Sequence, residues 1–393
     1  MSLEYKVLGQ DAASTIVESP VGYVSVVFNS DVAAHSTDGI TWTQTTLPLS
    51  ARWFSVTYGS DKFVTVGYSD PNFVGAYSTD GITWSASNTL PAVDFFYGVG
   101  YGDGQFVAVG GGTQGAYSTD GITWTAMTMP TASAWQDVEH GSGLFVAVSD
   151  SPIAYSTDAI NWTVATSLSL DLQSAAYGSD RFVAVGYYGN SAYSTDGIAW
   201  TQTTIPSGNW AELAYGDGKF VAVGYGASTA PYSTDGITWT SIALPATAGW
   251  NGVAYGNGKF VATAYGSTIA AYSTDAITWT QTTLPVSASW EAAAYGGQSS
   301  SSPKVQYTIP STKEAITSSI YIANNSSTSQ TYSVAVVPDG ETLSSIHYIR
   351  KDATIDGNDF HDITTKITLS AGDQVITDGS SGDVSINIFG VEK

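Results

Sequence analysis

The chain has 393 residues, 43% hydrophobic and only 12% charged, with a net charge of −22 and no cysteine. That length allows two or three domains. The acidic balance repels phosphate backbones and anionic lipid, so neither nucleic acid nor membrane insertion is expected. Without cysteine there is no disulfide framework and no thiolate metal site.

The opening MSLEYKVLGQ has no basic segment followed by an apolar one, so no signal peptide is expected. No apolar run approaches the roughly 18 residues of a membrane helix. A weak strand candidate, STIVES, follows at 14–19. From there most of the chain is a repeat. Near copies of S-T-D-G-I-T-W open at Ser36, Ser78, Ser118, Ser156, Ser194, Ser233 and Ser273, spaced 42, 40, 38, 38, 39 and 40 residues apart. Each interval reads as four short strands: W-x-x-V-A-Y-G, K-F-V-A-V-G, a strand ending A-Y-S, and I-T-W-T. Gly, Asp or Pro marks each break. A period of about 40 with four strands is the arithmetic of a β-propeller blade. The fold class expected is all-β: a seven-bladed propeller of four-stranded blades plus a β-sandwich.

The repeated turn has a physical reading of its own. The pairs Ser36 and Asp38, Ser78 and Asp80, Ser118 and Asp120, Ser156 and Asp158, Ser194 and Asp196, Ser233 and Asp235, Ser273 and Asp275 can bond turn backbone groups and fix a tight hairpin. The Trp that closes each copy (Trp42, Trp84, Trp124, Trp162, Trp200, Trp239, Trp279) is expected between neighbouring blades. Such burial is worth about 2–3 kcal/mol per ring. Ala159 and Ala276 stand where other copies have Gly, so that position is predicted not to require positive φ. Seven equivalent acids would make an odd active site, and the turn is read as architecture.

The first strand of each blade starts with Trp53, Phe96, Trp135, Leu172, Trp210, Trp250 or Trp290. The strand at 290–296 follows the last hairpin and is expected to supply the inner strand of the blade formed by about 22–46, closing the ring. The aromatic strand starts Trp53, Phe96, Trp135, Trp210, Trp250 and Trp290 are candidates either for stacking on sugar at the channel mouth or for packing. Loops between second and third strands carry Tyr68, Phe73, Tyr187, Tyr188, Tyr225 and Tyr265. Tyr68, Tyr187, Tyr188 and Tyr225 are kept as candidate carbohydrate contacts, with packing on the blade tops as the alternative.

The repeat stops at a Ser-rich linker, 298–303. Beyond it KVQYTIP, ITSSIYIANN, TYSVAVV, SIHYIRKDATI, DITTKITL, DQVITDG and VSINIFGVE read as the strands of a sandwich. The acid-rich stretch Asp352, Asp356, Asn358, Asp359, His361, Asp362 lacks calcium-loop spacing and is read as a solvated loop. His35 and His140 occupy Tyr positions of the repeat, and no zinc-type spacing occurs. The domains expected are 1–12 as a strand of the sandwich, 13–297 as propeller, 298–303 as linker and 304–393 as sandwich.

Two resemblances add to this reading. S-T-D-G-I-T-W resembles the Asp-box of sialidase-like and sortilin-like propellers, and the resemblance implies that these turns lie on the face away from a ligand. The runs YTIP, SSIYIANN, HYIRKDATI, ITLSAGDQVI and SINIFGVE, preceded by EYKVLGQ at the N-terminus, resemble small β-sandwich domains of tailed-phage virions. That likeness implies a sandwich split by an inserted propeller, other virion proteins as partners, a virion location after synthesis in the host cytoplasm, and a homo-oligomer with a trimer as the candidate state. Sialidases are similar in gripping a carboxylate with three arginines, but Arg52, Arg181 and Arg350 do not suit that task. Arg181 stands where other copies carry Lys on the turn face, and Arg350 belongs to the sandwich. Asp94, Asp137, Asp171, Glu212 and Glu291 are the carboxylates expected on the opposite face, read as architectural or solvated. The function expected is therefore non-enzymatic: a phage tail- or fibre-associated adhesin binding host-surface glycan without a cofactor. The alternatives are a purely structural virion component and a glycan hydrolase.

Overall fold

A computed structural model of the chain describes residues 6–10, 22–88, 90–91, 95–165, 168–296, 304–308, 315–324, 330–338, 348–355, 360–363, 368–370, 374–379 and 384–392. The strand candidate at 14–19, the linker at 298–303, Asp94, His347, Asp356, Asn358 and Asp359 lie outside the described residues. The chain divides into two compact units, Met1–Glu18 with Gln298–Lys393, and Ser19–Gly297.

The larger unit repeats one antiparallel pattern. Trp210–Gly216 pairs with Lys219–Gly224, which pairs with Ala227–Ser233, which pairs with the start of Thr240–Gly256. The same order runs from inner strands at 53–59, Phe96–Gly102, 135–141, Leu172–Gly178 and 250–256. Trp290–Gly296 pairs with Gly22–Ser36, from Gly22 opposite Gly296 to Val27 opposite Trp290. The last strand of the repeat thus joins the first sheet. Second strands such as Phe-Val-Ala-Val-Gly, 182–186, are buried at every position. A run buried on both faces needs no alternation of apolar and polar residues.

Both faces are covered because each apolar cluster spans two neighbouring repeats. Val64 and Val66 pack with Phe96, Phe106 and Trp124. Val107 and Met127 pack with Trp135, Phe145 and Trp162, and Val146 and Leu172 with Phe182 and Trp200. The series closes where Ala254 and Val261 pack with Tyr23, Trp42 and Trp290. The turn tryptophans therefore lie in the seams. Trp42, Trp84, Trp124, Trp162, Trp200 and Trp279 are buried, while Trp239 is half-buried against its cluster.

The recurrent Tyr-Gly that ends each inner strand also has a cause. A Cβ on Gly178 would lie 2.2 Å from the Tyr215 ring, and one on Gly216 would lie 1.9 Å from the Tyr255 ring. Gly59, Gly141 and Gly256 meet Tyr101, Tyr177 and Tyr295 in the same way, and Gly102 meets His140. The missing side chain of one repeat is the seat of the ring of the next.

Where separate strands are expected, Thr43–Gly59, Thr125–Gly141 and Thr240–Gly256 run unbroken from the outer strand of one repeat into the inner strand of the next. Leu47, Met129 and Leu244 bury a side chain midway, each followed by a Pro that holds the backbone extended.

Among the described residues the smaller unit has two antiparallel sheets. Lys6–Gln10 pairs with Val384–Glu392, which pairs with Ala315–Asn324; Phe360–Ile363 and Thr368–Leu369 also pair with Ala315–Asn324. The other sheet orders Lys304–Thr308, Gln374–Gly379, Gln330–Val337 and Tyr348–Ile355. The N-terminal strand thus belongs to a sheet built from the far end of the chain. In the acid-rich stretch, Asp352, His361 and Asp362 fall on strands rather than in a loop, which corrects the solvated-loop reading for these three.

Candidate functional site

The turns come first, because they separate scaffold from site. In all seven, the Ser hydroxyl donates to the Asp carboxylate at 2.8–3.0 Å. The same carboxylate oxygen accepts the backbone N–H two residues on at 2.8–2.9 Å. It also accepts the N–H three residues on at 2.6–2.8 Å. For Asp38, Asp80, Asp120 and Asp235, burial alone would raise the carboxyl pKa; the donated bonds outweigh it and hold it below the usual range. For Asp158, Asp196 and Asp275 the backbone N–H donors are the largest influence, in the same direction. One oxygen of each acid is fully engaged by its own turn, which gives the acid a structural task.

The residue after Asp corrects one expectation. Gly39 and Gly197 have φ of 71° and 72°, and Ala159 and Ala276 follow them at 63° and 62°. The position does require positive φ. Alanine tolerates it at about 1–2 kcal/mol because the hydrogen bonds on either side fix the turn.

At the other end of the inner strands every repeat carries a β-bulge. The register slips between Trp53 and Ser55, Phe96 and Gly98, Leu172 and Ser174, Trp210 and Glu212, and Trp250 and Gly252. The pairings of 135–137 and 290–292 slip likewise. A bulge leaves one residue out of the ladder and re-aims its side chain. The residues left out are Phe54, Tyr97, Gln136, Gln173, Ala211, Asn251 and Glu291. Together with Ser55, Asp137, Ser174, Glu212 and Tyr187, they line a cavity of about 260 Å³. This is the mouth of the central channel.

The strand-start aromatics do not reach it. Trp53, Phe96, Trp135, Trp250 and Trp290 have 0% exposure and Trp210 has 1%, so none offers an open face to a ligand, although Trp210 contributes to the wall of a separate groove. This corrects their candidacy as stacking platforms. They are core, and Trp53, Trp210, Trp250 and Trp290 donate their indole N–H to the carbonyls of Ser30, Pro206, Ala246 and Val286. The bulge lets the strand start turn inward while the next residue turns to the channel.

The carboxylates are not simply solvated either. Asp137 ties two repeats together, accepting from the Ser174 hydroxyl and the Ala175 N–H, both at 3.0 Å. Ser174 in turn accepts the Leu213 N–H at 3.1 Å, and Ser55 accepts the Val99 N–H at 3.2 Å. Glu139 accepts the Tyr177 N–H at 3.2 Å. Burial pushes Glu212 well above the usual carboxylate range, and Asp137, Glu291 and Glu139 push it the same way. Burial and then Asp137 raise Glu139 to about 8. Burial raises Glu291 to about 7 against a hydrogen bond from Asn251, and also raises Asp137 against three hydrogen bonds. Asp171 stands apart and accepts the Gln173 amide at 2.6 Å.

The loop tyrosines separate into three settings. Tyr187 lines the channel mouth. Tyr68 is half-buried against Phe95 and Phe73, with its hydroxyl on Asp70. Tyr188 and Tyr225 are exposed, at 80% and 59%, on either side of a groove of about 440 Å³ with Ser207, Asn209, Ser228 and Thr229 in its walls. Asn209 holds both: its side-chain oxygen accepts the Tyr188 N–H at 3.3 Å and its carbonyl accepts the Tyr225 N–H at 3.0 Å. Tyr188 has φ 60° and ψ 21°, left-handed backbone that is unusual for an aromatic residue. Among the described residues no group of three or more His, Asp or Glu is placed to hold a metal ion.

No protein-family model matches the chain, and no curated protein matches it significantly. Solved structures do. A catalytically inactive virginiamycin B lyase from Staphylococcus aureus, in complex with quinupristin, superposes with a TM-score of 0.53 at 15% identity, covering 67% of this chain and 96% of that one. The computationally designed protein Ika8 matches with a TM-score of 0.50 at 9% identity, covering 75% and 97%. The WD40 β-propeller domain of Doa1 gives 0.48 at 16% identity over 67% and 91%. The fold of the repeat is a β-propeller.

Proposed function

We propose that the repeat forms a seven-bladed Asp-box propeller that binds glycan, and that it is displayed on a tailed-phage particle by the smaller unit. The observation that carries the binding reading is the groove between Tyr188 and Tyr225. Two exposed rings flank short polar side chains, and Asn209 fixes both backbones before any ligand arrives. Aromatic faces give affinity for the apolar face of a sugar, and hydroxyl and amide groups select among sugars. Preorganisation lowers the entropy lost on binding. The virion setting rests on the resemblance of the segments that build the smaller unit, and it brings with it other virion proteins and a homo-oligomer as partners. On a multi-copy particle, weak sites act together by avidity.

Binding is proposed to proceed without turnover. The lyase likeness, at 15% identity, extends to the fold alone. One observation favours a second reading, hydrolysis: Glu291, raised to about 7, is poised as a general acid.

A panel of bacterial surface polysaccharides distinguishes these readings, with both retention and release of reducing ends measured. The expected result is retention without release, lost in Tyr188→Ala and Tyr225→Ala. Release of reducing ends, abolished by Glu291→Gln, would replace binding with hydrolysis. Failure to be retained on any glycan or on whole host envelopes would leave a structural virion role.

A further inference from the structure

The channel mouth combines aromatic rings and carboxylates. The inner strands at 53–59 and Phe96–Gly102 contribute Phe54 and Tyr97, whose rings meet edge to face at 5.4 Å. Phe54 is backed by Phe28, also at 5.4 Å, and Tyr97 is stacked with Phe95 at 6.1 Å. The strand of Glu291 neighbours that of Phe54 and the strand of Asp137 neighbours that of Tyr97, Glu212 comes from a strand that neighbours neither ring's strand, and Tyr187 adds a further ring to the same cavity. Among the described residues no lysine or arginine lines the cavity. Arg52 is engaged over the Tyr68 ring at 6.0 Å.

Asp137 is consumed by hydrogen bonds between repeats, but the other two carboxylates are not. Glu212 is half-buried in the cavity wall, and its carboxylate forms no hydrogen bond among the described residues. Glu291 leaves its Oε2 buried without a partner there. Half-buried acids without a positive partner either keep a proton or face a cation. The residues do not gather as a metal site. Aromatic rings and carboxylates around one cavity are instead the elements that recognise an organic cation: the ring faces attract the positive charge while the acids neutralise it.

We propose that the channel mouth binds an organic ammonium group, held among Phe54, Tyr97, Glu212 and Glu291. The cavity, of about 260 Å³, has room for an amino sugar or a choline headgroup. This site is separate from the Tyr188–Tyr225 groove, and the two stand or fall independently.

The test is calorimetric titration of the full chain with choline chloride and with glucosamine hydrochloride. The neutral counterparts, dimethylbutanol and N-acetylglucosamine, serve as controls. Choline keeps its charge at any pH, so its binding reports the site alone. The expected result is binding of one or both ammonium probes in the millimolar range or tighter, and none of the neutral counterparts. Which ammonium probe binds more tightly tells a quaternary group from a primary one. Glu212→Gln and Phe54→Leu are each expected to weaken that binding by about tenfold or more. Thermal melts confirm that each variant is folded, and Glu291→Gln provides a second carboxylate variant. Equal binding of the neutral counterparts, unchanged affinity in folded Glu212→Gln and Glu291→Gln, or no binding of either ammonium probe would overturn the proposal.

Discussion

At the scale of single residues, two sets of acids pull stability in opposite directions with pH. The turn aspartates have pKa values lowered by folding, so their contribution is complete above the unfolded value of about 4 and is lost as pH falls through the folded values. Asp196→Ala removes the acceptor of two exposed backbone N–H groups and should lower stability by about 0.5–1.5 kcal/mol at neutral pH. Thermal melts in the neutral and acid ranges should show that deficit shrinking below about pH 3. The channel acids behave in reverse. Glu139, Glu212 and Glu291 are raised by folding, so stability falls as pH rises above the unfolded value of about 4.3. Glu212→Gln should therefore raise the melting midpoint at about pH 8 and change it little near pH 4. An equal effect at both pH values would show that Glu212 is not held neutral by its surroundings. The turn residues were legible in the sequence because repetition exposes them. The channel acids were legible as candidates, but their state was not, since burial and proximity come only with the ring. Ala159 and Ala276 misled because alanine is permitted, at a cost, where glycine is preferred.

At the scale of elements, two devices shape the inner strand. Its Tyr-Gly end locks each repeat to its neighbour, and its bulged start turns one residue out of the core. Gly178→Ala places a Cβ within 2.2 Å of the Tyr215 ring, so ring and strand must separate. A loss of about 1–3 kcal/mol is expected from such overpacking, seen as a lower denaturant midpoint. Unchanged stability would mean that the seam is looser than described. The four-strand pattern could be read from hydrophobic runs and turn residues. The bulge could not, because a one-residue slip leaves no mark on composition. That is why the strand-start tryptophans were candidates for the channel while Phe54 and Tyr97, one residue farther on, were passed over. A signal did exist: the strand start is Trp, Phe or Leu in every repeat, while the position after it varies (Phe54, Tyr97, Gln136, Gln173, Ala211, Asn251, Glu291).

At the scale of the whole molecule, a scaffold of near-identical parts carries the proposed sites in the residues that differ between them. Each apolar cluster depends on two repeats, and the pairing of Trp290–Gly296 with Gly22–Ser36 leaves the first sheet built from both ends of the repeat region. The Lys6–Gln10 strand, paired with Val384–Glu392, likewise joins distant parts of the chain in the smaller unit. The propeller supplies rigidity, and the loops of its Leu172 and Trp210 repeats supply Tyr188, Asn209 and Tyr225. The most direct test of that assignment is saturation-transfer NMR on the full chain, with an oligosaccharide prepared from a retained polysaccharide. Strong transfer to the protons on one face of a sugar ring is predicted for the wild type, with loss of transfer in a folded Tyr188→Ala/Tyr225→Ala variant. Undiminished transfer in that variant would contradict the account and move the glycan site elsewhere on the propeller.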